Sequence, residues 1–574
     1  MHPCSSFYTA LVALLPISAS GFALRSDLAK KLQLAAELGL EPDFWSKDDR
    51  AFRTAATQDE IQVEYVSVIT ILQLPIDHDN PSVGAYQNRY WVNDKYYRPG
   101  GPVFLYDAGE INAEGSASHL TSDLSFFPEV LQEFSAIGVV WEHRQVLQSL
   151  PYHVGNDTPP EHWKYLTTRQ ALADIPAFAE NFTRPSLQAF DLTPESTPWV
   201  MIGGSYPGAR AALARSQYPD TIFASFASSA PVEARIDMSS YYDQIYRAMV
   251  ANGYANCTLD IHAALEYIDG QLSQEDTAIA IKQLFLGAGA EQNSNEDFTA
   301  ALGGIFGYFQ SYGMDGGGGS LSEFCGYLVS DPSTGEPAGS GGLAQRLGNQ
   351  SLAERWAAWP AFTELINFNM DTNCRGLDKS MVPSCILNVP TKNPDAIAWS
   401  WQYCSEWGFY QSSNIGVHSL LSRYQTLDFQ QVMCNRMFPK ALESGVLPPQ
   451  PRAEAVNEEF GGWSLASTTT NVYWSSGEFD PWRTLGVLST EDFSQQLTVT
   501  SEIPQCGVRT AENTVFGYVV ISDAGKVSRE YFRQALKEWL PCFDKQDKQY
   551  KQEYGLGHDA LTSLGLESLN SMEW

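Results

Sequence analysis

The chain has 574 residues, 44% of them hydrophobic and including 15 Trp, 27 Tyr and 29 Phe, a composition that offsets chain entropy by burial and excludes a largely disordered protein. Its 36 Lys and Arg stand against 67 Asp and Glu, a formal net charge of −31, the wrong sign for gripping a nucleic-acid backbone. So acidic a surface repels itself less as pH falls, which suits an acidic working environment and equally serves plain solubility.

Residues 1–23 read as an export signal. Phe7 to Ala19 is a short apolar run, small residues follow at Ser18, Ala19 and Ser20, and cleavage after Ser20 or Ala23 fits, although no Lys or Arg precedes Arg25. The competing reading is a buried helix. No later stretch approaches the roughly 20 apolar residues of a membrane helix, so no membrane partner is expected.

The first part of the body, residues 40–232, alternates strand and helix signals. Pro102 to Tyr106, after the turn Arg98-Pro99-Gly100-Gly101, and Ile137 to Trp141 read as buried strands. Leu166 to Phe178 has helical spacing. Trp199 to Ile202 then runs as a strand into Gly203-Gly204-Ser205, and Ala209 to Ser216 is rich in helix formers. A further strand is expected from Ile222 to Ala227, and this alternation predicts a mainly parallel sheet with helices on its faces.

From 233 to 461 the pattern changes to helical segments and Gly-rich loops, and five of the eight later cysteines follow Cys257 there. The segment is expected to be a helical cap insertion. Strand character returns at Val472 to Trp474 and at Val515 to Ile521, in a second core part over 462–543 that closes with a helix from Val527 to Leu540. A polar tail, 544–574, follows. The fold expected is α/β, an α/β-hydrolase core with a mainly parallel sheet and a large helical cap.

Of nine cysteines, Cys4 leaves with the signal, and Cys257, Cys325, Cys374, Cys385, Cys404, Cys434, Cys506 and Cys542 remain as an even set. Their spacing lacks the paired short loops of a zinc site, so disulfides of open connectivity are expected, with no metal and no cofactor. Asn156, Asn181, Asn256 and Asn349 begin Asn-x-Ser/Thr sequons, expected to carry glycans if the chain enters a secretory pathway.

Gly203-Gly204-Ser205-Tyr206-Pro207-Gly208 carries the sharpest chemistry. A nucleophile elbow needs small neighbours because a tight strand-to-helix turn pushes the serine hydroxyl out while backbone closes in around it. Gly203 fits, Pro207 stands where the simple pattern has Gly, and Gly208 comes one place late. A Gly-rich structural turn is the plainer alternative. Asp480, in Gly477-Glu478-Phe479-Asp480-Pro481-Trp482 after a late strand, is the candidate acid, set to orient and stabilise a histidine. Asp-Pro is also an ordinary turn.

These residues resemble the S28 serine peptidases, a family of prolyl carboxypeptidase, dipeptidyl peptidase and fungal acid prolyl endopeptidase types. The resemblance runs from about Gln62 to Phe543. It rests on Arg89 to Asn93, Gly101 to Tyr106, Gly109-Glu110, Glu142-His143-Arg144, Tyr165-Leu166-Thr167, Gln170 to Asp174, Gly203 to Tyr206 and Asp480-Pro481-Trp482. It implies Ser205 as nucleophile, Asp480 as triad acid, and the Tyr206 N–H with an N–H near Gly109 as oxyanion donors. It also implies that Trp401 to Gln411 faces the active-site cleft, where Trp407 and Tyr410 stack on proline or simply fill the cap. Glu110 and Glu406 meet a substrate amine or are solvated. The implied compartment is extracellular or an acidic vacuole or lysosome.

Two departures stand out. Gln145-Val146-Leu147 replaces the family's Tyr-Tyr-Gly, and the stretch between the last strand and the closing helix, Val519 to Lys526, holds no histidine. Of nine histidines only His558 follows Asp480, in the polar tail, where a solvated side chain is the plainer reading. Without a general base a serine hydroxyl is a poor nucleophile near neutrality. Three functions follow. The first is a secreted serine peptidase that cuts after proline in peptide or protein substrates. The second is a catalytically inactive, peptide-binding relative, and the third an esterase or lipase on the same fold. A homodimer is compatible with any of them. A short segment missing from the chain between Val520 and Lys526 accounts for the histidine without disturbing either flank.

Overall fold

A computed structural model describes residues 70–543, apart from 123–124, 147–148, 316–318, 415 and 522–524. The expected signal over 1–23 and the tail over 544–574 with His558 lie outside the described residues. Five strands precede the insertion in the main sheet: β1 (Thr70–Pro75), β2 (Ala85–Asn93), β3 (Val103–Asp107), β4 (Ile137–Trp141) and β5 (Trp199–Gly204), with β6 (Ala224–Ser228) leading into it. Within the insertion β7 (Arg235–Asp237) pairs with β8 (Gly408–Tyr410), and β9 (Val472–Gly477), β10 (Thr498–Thr500) and β11 (Thr514–Val520) return to the main sheet. Its order is β1-β2-β4-β3-β5-β6-β9-β11-β10. β1 and β2, and β2 and β4, pair antiparallel, and all pairings from β4 to β10 are parallel.

The central strands are buried on both faces, as a parallel sheet covered by helices requires. In β3 the two-residue period sends Val103 and Leu105 to the side of α1 (Thr168–Asn181) and α2 (Tyr206–Gln217), while Phe104 and Tyr106 face the other layer. The edge strands are less buried: β1 alternates exposed and covered residues, and β10 is short and largely exposed. This sheet, with its helical layers, is an α/β-hydrolase core.

Between β6 and β9 the chain is mostly helical, and it includes α3 (Ala255–Leu272), α4 (Pro394–Gln402), α5 (Leu427–Met437) and α6 (Ala453–Phe460). Among the described residues the eight cysteines are all paired: Cys257–Cys325, Cys374–Cys385 and Cys404–Cys434 within this insertion, and Cys506–Cys542 across the closing part of the core. α7 (Gly525–Trp539) follows β11 and packs Phe532 and Trp539 against Phe226, Tyr473 and Phe516 of the sheet. The sequons at Asn156 and Asn181 are exposed, and those at Asn256 and Asn349 are half-buried.

Beneath the sheet's edge lies a buried charge cluster. Arg144 Nε and Nη2 donate to the two oxygens of Asp174 (2.6 and 2.5 Å), Tyr86 Oη donates to Oδ2 (2.9 Å), and His78 Nε2 lies 2.7 Å from Oδ1. Arg144 Nη1 donates in addition to the carbonyls of Ile76 and Tyr165. Burial alone raises the Asp174 carboxyl, but the charge and hydrogen bonds of Arg144, with His78, outweigh it and hold the group below its ordinary value. A carboxyl depressed on folding contributes stability above its unfolded pKa of about 3.9, and loses it as pH falls through the folded value. Asp174→Asn strands the Arg144 charge, and we expect a cost of about 3–5 kcal/mol in urea unfolding at pH 6. The difference from wild type should begin to shrink as pH falls below about 4 and vanish as it passes through the still lower folded value, where wild type is protonated and loses the same pairing.

Candidate active site

Ser205 stands between β5 and α2 with φ 61° and ψ −127°, a backbone conformation that side-chain-bearing residues adopt only where the surroundings enforce it. Its N–H donates to Ser228 O at the end of β6 (2.8 Å). Close packing explains the glycines around it. A Cβ on Gly203 would stand 2.2 Å from Pro207 O, and one on Gly208 2.5 Å from Ser228 O. The late glycine of the motif is thus the one that lets α2 approach β6. Pro207 lies in the first turn of α2, where a missing N–H is harmless. Gly109, at φ +67°, makes room for it, since a Cβ there would meet Pro207 Cγ at 2.2 Å.

Asp480 follows β9 and caps the turn Pro481–Leu485. Its Oδ1 accepts from Trp482 N (2.9 Å) and its Oδ2 from Ser476 Oγ (2.9 Å). Burial raises its carboxyl above the ordinary range, against the lowering effect of hydrogen bonds from Ser229, Trp482 N and Ser476. Ser229 follows β6 and itself has φ 47°. Neutral donors hold this carboxylate, and among the described residues no histidine is hydrogen-bonded to it.

Two rings join the two sites. The Tyr403–Trp407 segment is a π-helical turn that leads from α4 into β8, a form met often at functional sites. Trp407 packs edge-on to Tyr206 at 5.9 Å and stacks on Phe409 at 5.5 Å, and Phe409 meets Trp482 edge-on at 5.3 Å. The neighbour of Ser205 and the neighbour of Asp480 therefore share one aromatic bridge, supplied by the insertion. Trp399 of α4 adds a second ring against Tyr206 at 5.1 Å.

The other candidates divide. Tyr206 is the first residue of α2, a position whose N–H has no partner within the helix. Gly109 N–H donates to Asp107 Oδ1 (2.9 Å), and Asp107 is paired with Arg210. Glu110 is buried beside it. Trp407 is fully buried and donates from Nε1 to Thr168 Oγ1 (2.9 Å). Tyr410 lies in a separate cluster with Trp163, Trp401 and Phe438, its hydroxyl donating to Gln431 Oε1 (2.9 Å). Glu406 Oε2 accepts from Thr168 N (2.9 Å) and Thr168 Oγ1 (2.8 Å). Burial pushes its carboxyl up to about 7, against the lowering effect of the Thr168 hydrogen bonds.

His143, in the Glu142-His143-Arg144 motif, is otherwise engaged. His143 lies under Tyr206 at 5.7 Å, its Nδ1 accepting from Gln145 N (3.1 Å). Burial, and then the charges of Arg210 and Arg144, hold that imidazole well below its ordinary pKa, which makes it a weak proton acceptor. Thr168, Trp399 and Ser229 are site neighbours that motif reading did not single out, whereas Gln402 lies within the Trp401 to Gln411 segment that it did. Ser229 had a signal in the small-residue run after β6, and Thr168 and Trp399 are brought in by folding alone.

The family model for serine carboxypeptidase S28 matches residues 75–503, a stretch that contains both Ser205 and Asp480. The chain is 29% identical over 453 residues to a probable extracellular serine carboxypeptidase of Arthroderma benhamiae, an alignment covering 73% of this chain and 59% of that protein. It is 27% identical over 494 residues to the thymus-specific serine protease of Mus musculus, covering 83% and 88%. With the serine protease vicPb of Bipolaris victoriae it shares 25% identity over 490 residues, covering 77% and 83%.

Proposed function

Because this chain belongs to the S28 serine carboxypeptidase family, we propose that it hydrolyses peptide bonds on the carboxyl side of proline, through an acyl-enzyme on Ser205. The observation that carries this reading is the elbow: a serine at φ 61° between a buried strand and a buried helix, with Asp480 at the end of β9, two strands along from β5. In the reaction Ser205 Oγ attacks the prolyl carbonyl carbon while a histidine, which would have to come from outside the described residues or from a segment absent from the sequence as given, takes the hydroxyl proton. The oxyanion forms at the Tyr206 N–H and a second backbone N–H near Gly109. Asp480 orients the imidazole and stabilises its charge. Collapse of the intermediate breaks the C–N bond, the leaving amine takes the proton from the imidazolium, and water then releases the acyl group by the same path in reverse.

Four disulfides suit an oxidising compartment, so the proposed setting is extracellular or vacuolar. Among the described residues no helix is long and apolar enough to cross a membrane. The rings between Ser205 and Asp480 are buried against one another and shape the core around the site. Preference for proline follows from the resemblance to the prolyl-cleaving S28 types. A mixed peptide pool tests it: product masses are expected to end in proline on the acyl side, and cuts scattered without regard to proline would refute the preference. Turnover of acyl esters without peptides would instead favour an esterase. The absence of a histidine between Ile521 and Lys526 favours, as the second reading, a relative that binds peptides without cutting them.

A further inference from the structure

Glu406 reaches from the insertion to the core and closes a short chain of contacts that ends at the nucleophile's neighbour. Thr168 begins α1, so its N–H is one of those left unpaired by the helix and carries the positive end of its dipole. Glu406 Oε2 takes that N–H and the Thr168 hydroxyl proton. The hydroxyl oxygen is fixed in turn by Trp407 Nε1, and the Trp407 ring packs on Tyr206. The Tyr206 hydroxyl stands beside Thr168 and Gln402. The segment is under local constraint: a Cβ on Gly408 would stand 2.6 Å from Arg235 O, and Phe409 has φ 60°. Such a turn needs anchoring contacts, and the Cys404–Cys434 bridge and the Glu406–Thr168 bonds are two of them.

We propose that Glu406 is a positioning residue, which seats the Tyr403–Trp407 turn on Tyr206 through Thr168 and Trp407 and so holds the Tyr206 N–H where the oxyanion forms. The role of that N–H rests on the function proposed above. The seat is sensitive to pH because the carboxyl is buried. Facing it are Thr168 from α1, Tyr206 from α2, Glu459 from α6 and Arg452 just before α6. Glu459 disfavours its ionisation and Arg452 favours it, both less than burial and Thr168 do. The group is raised to about 7 against an ordinary 4.5. The sign follows: the folded form holds the proton more tightly than the unfolded one, so the seated turn is favoured at acid pH and weakens as pH rises through 7.

Glu406→Gln keeps an acceptor for Thr168 and removes the titration. Wild type is expected to lose roughly tenfold in kcat between pH 6.5 and pH 8 as the carboxyl ionises, and the variant is expected to lose little over that interval. Glu406→Ala, which leaves Thr168 without its acceptor, should lower kcat at both pH values with KM less affected. A second measurement does not depend on turnover: in the full chain carrying Ser205→Ala, tryptophan fluorescence should show a transition centred near pH 7 that Glu406→Gln removes. If Glu406→Gln scales the rate equally at every pH, or if the fluorescence transition persists in it, Glu406 has no such role. If no turnover is found under any condition, the proposed peptidase function fails, and the fluorescence titration still decides the seat.

Discussion

Ser205→Ala is expected to abolish labelling by a fluorophosphonate probe and to bring peptide hydrolysis down to background. For a complete triad, loss of the nucleophile lowers kcat on the order of 10⁴- to 10⁶-fold. The effect should be chemical and leave the fold in place. Ser205 is a buried side chain in an elbow whose geometry is set by Gly203, Gly208 and the bond from Ser205 N to Ser228 O, all of which the alanine keeps. Circular dichroism and the urea midpoint should therefore match wild type within error while labelling disappears. Labelling that survives the substitution, at another of the chain's serines, would remove Ser205 as the nucleophile and leave the elbow as a structural turn.

The elements that could be read in advance were those with both periodicity and punctuation. The runs read as strands at 137–141 and 199–202 became β4 (Ile137–Trp141) and β5 (Trp199–Gly204), because continuous apolar runs bounded by turns fit a covered parallel sheet. The strand read at 515–521 and the helix read at 527–540 correspond to β11 and α7 with shifts of a residue or two. β1 and β10 gave less signal. One alternates between exposed and covered residues and the other is three residues long, so neither has the dense apolar run of a central strand. β2 was visible only as a family motif, Arg89 to Asn93, and not as a strand.

At the site, the residues legible in sequence were those whose local backbone chemistry is unusual. Gly203-Gly204-Ser205 announces a tight turn and Asp480-Pro481 a cap. Pro207, which looked like a departure, is accommodated from outside the motif by Gly109. No local pattern can convey that compensation, because the two residues meet only when β3 and β5 pair. The same holds for Thr168, which is remote in sequence from both Glu406 and Tyr206. The bridge that Trp407 and Phe409 make from Tyr206 to Trp482 is equally hidden in a string of letters, because the rings meet only in the fold.

The general base decides whether the site works, and we expect the natural transcript to encode a short histidine-bearing segment between Val520 and Lys526. The sheet register says where such a segment would emerge. Val520 lies opposite Gly477 in the β9–β11 ladder, and Glu478 N donates to Val520 O (2.8 Å), so the chain leaves β11 beside the turn that carries Asp480. α7 begins at Gly525. Only Ile521 and the three residues Ser522, Asp523 and Ala524 separate strand from helix, and Ser522–Ala524 lie outside the described residues. A loop that has to bring an imidazole between Asp480 and Ser205, then return to a helix packed under the sheet, needs more chain than that. None of these residues accepts a proton from a serine at moderate pH as histidine does. Both flanks keep their strand and helix, which is what a coding sequence joined across an omitted stretch leaves behind; gradual loss of function more often substitutes the histidine in place. Reading the transcript across this junction tests the idea, and a transcript running from Ile521 straight to Lys526 as given would reject it. His558→Ala then separates the remaining cases. If the tail supplies the base, kcat should fall at least about 10³-fold with that side chain; if activity is absent before and after, the chain is a catalytically inactive relative with an intact nucleophile elbow.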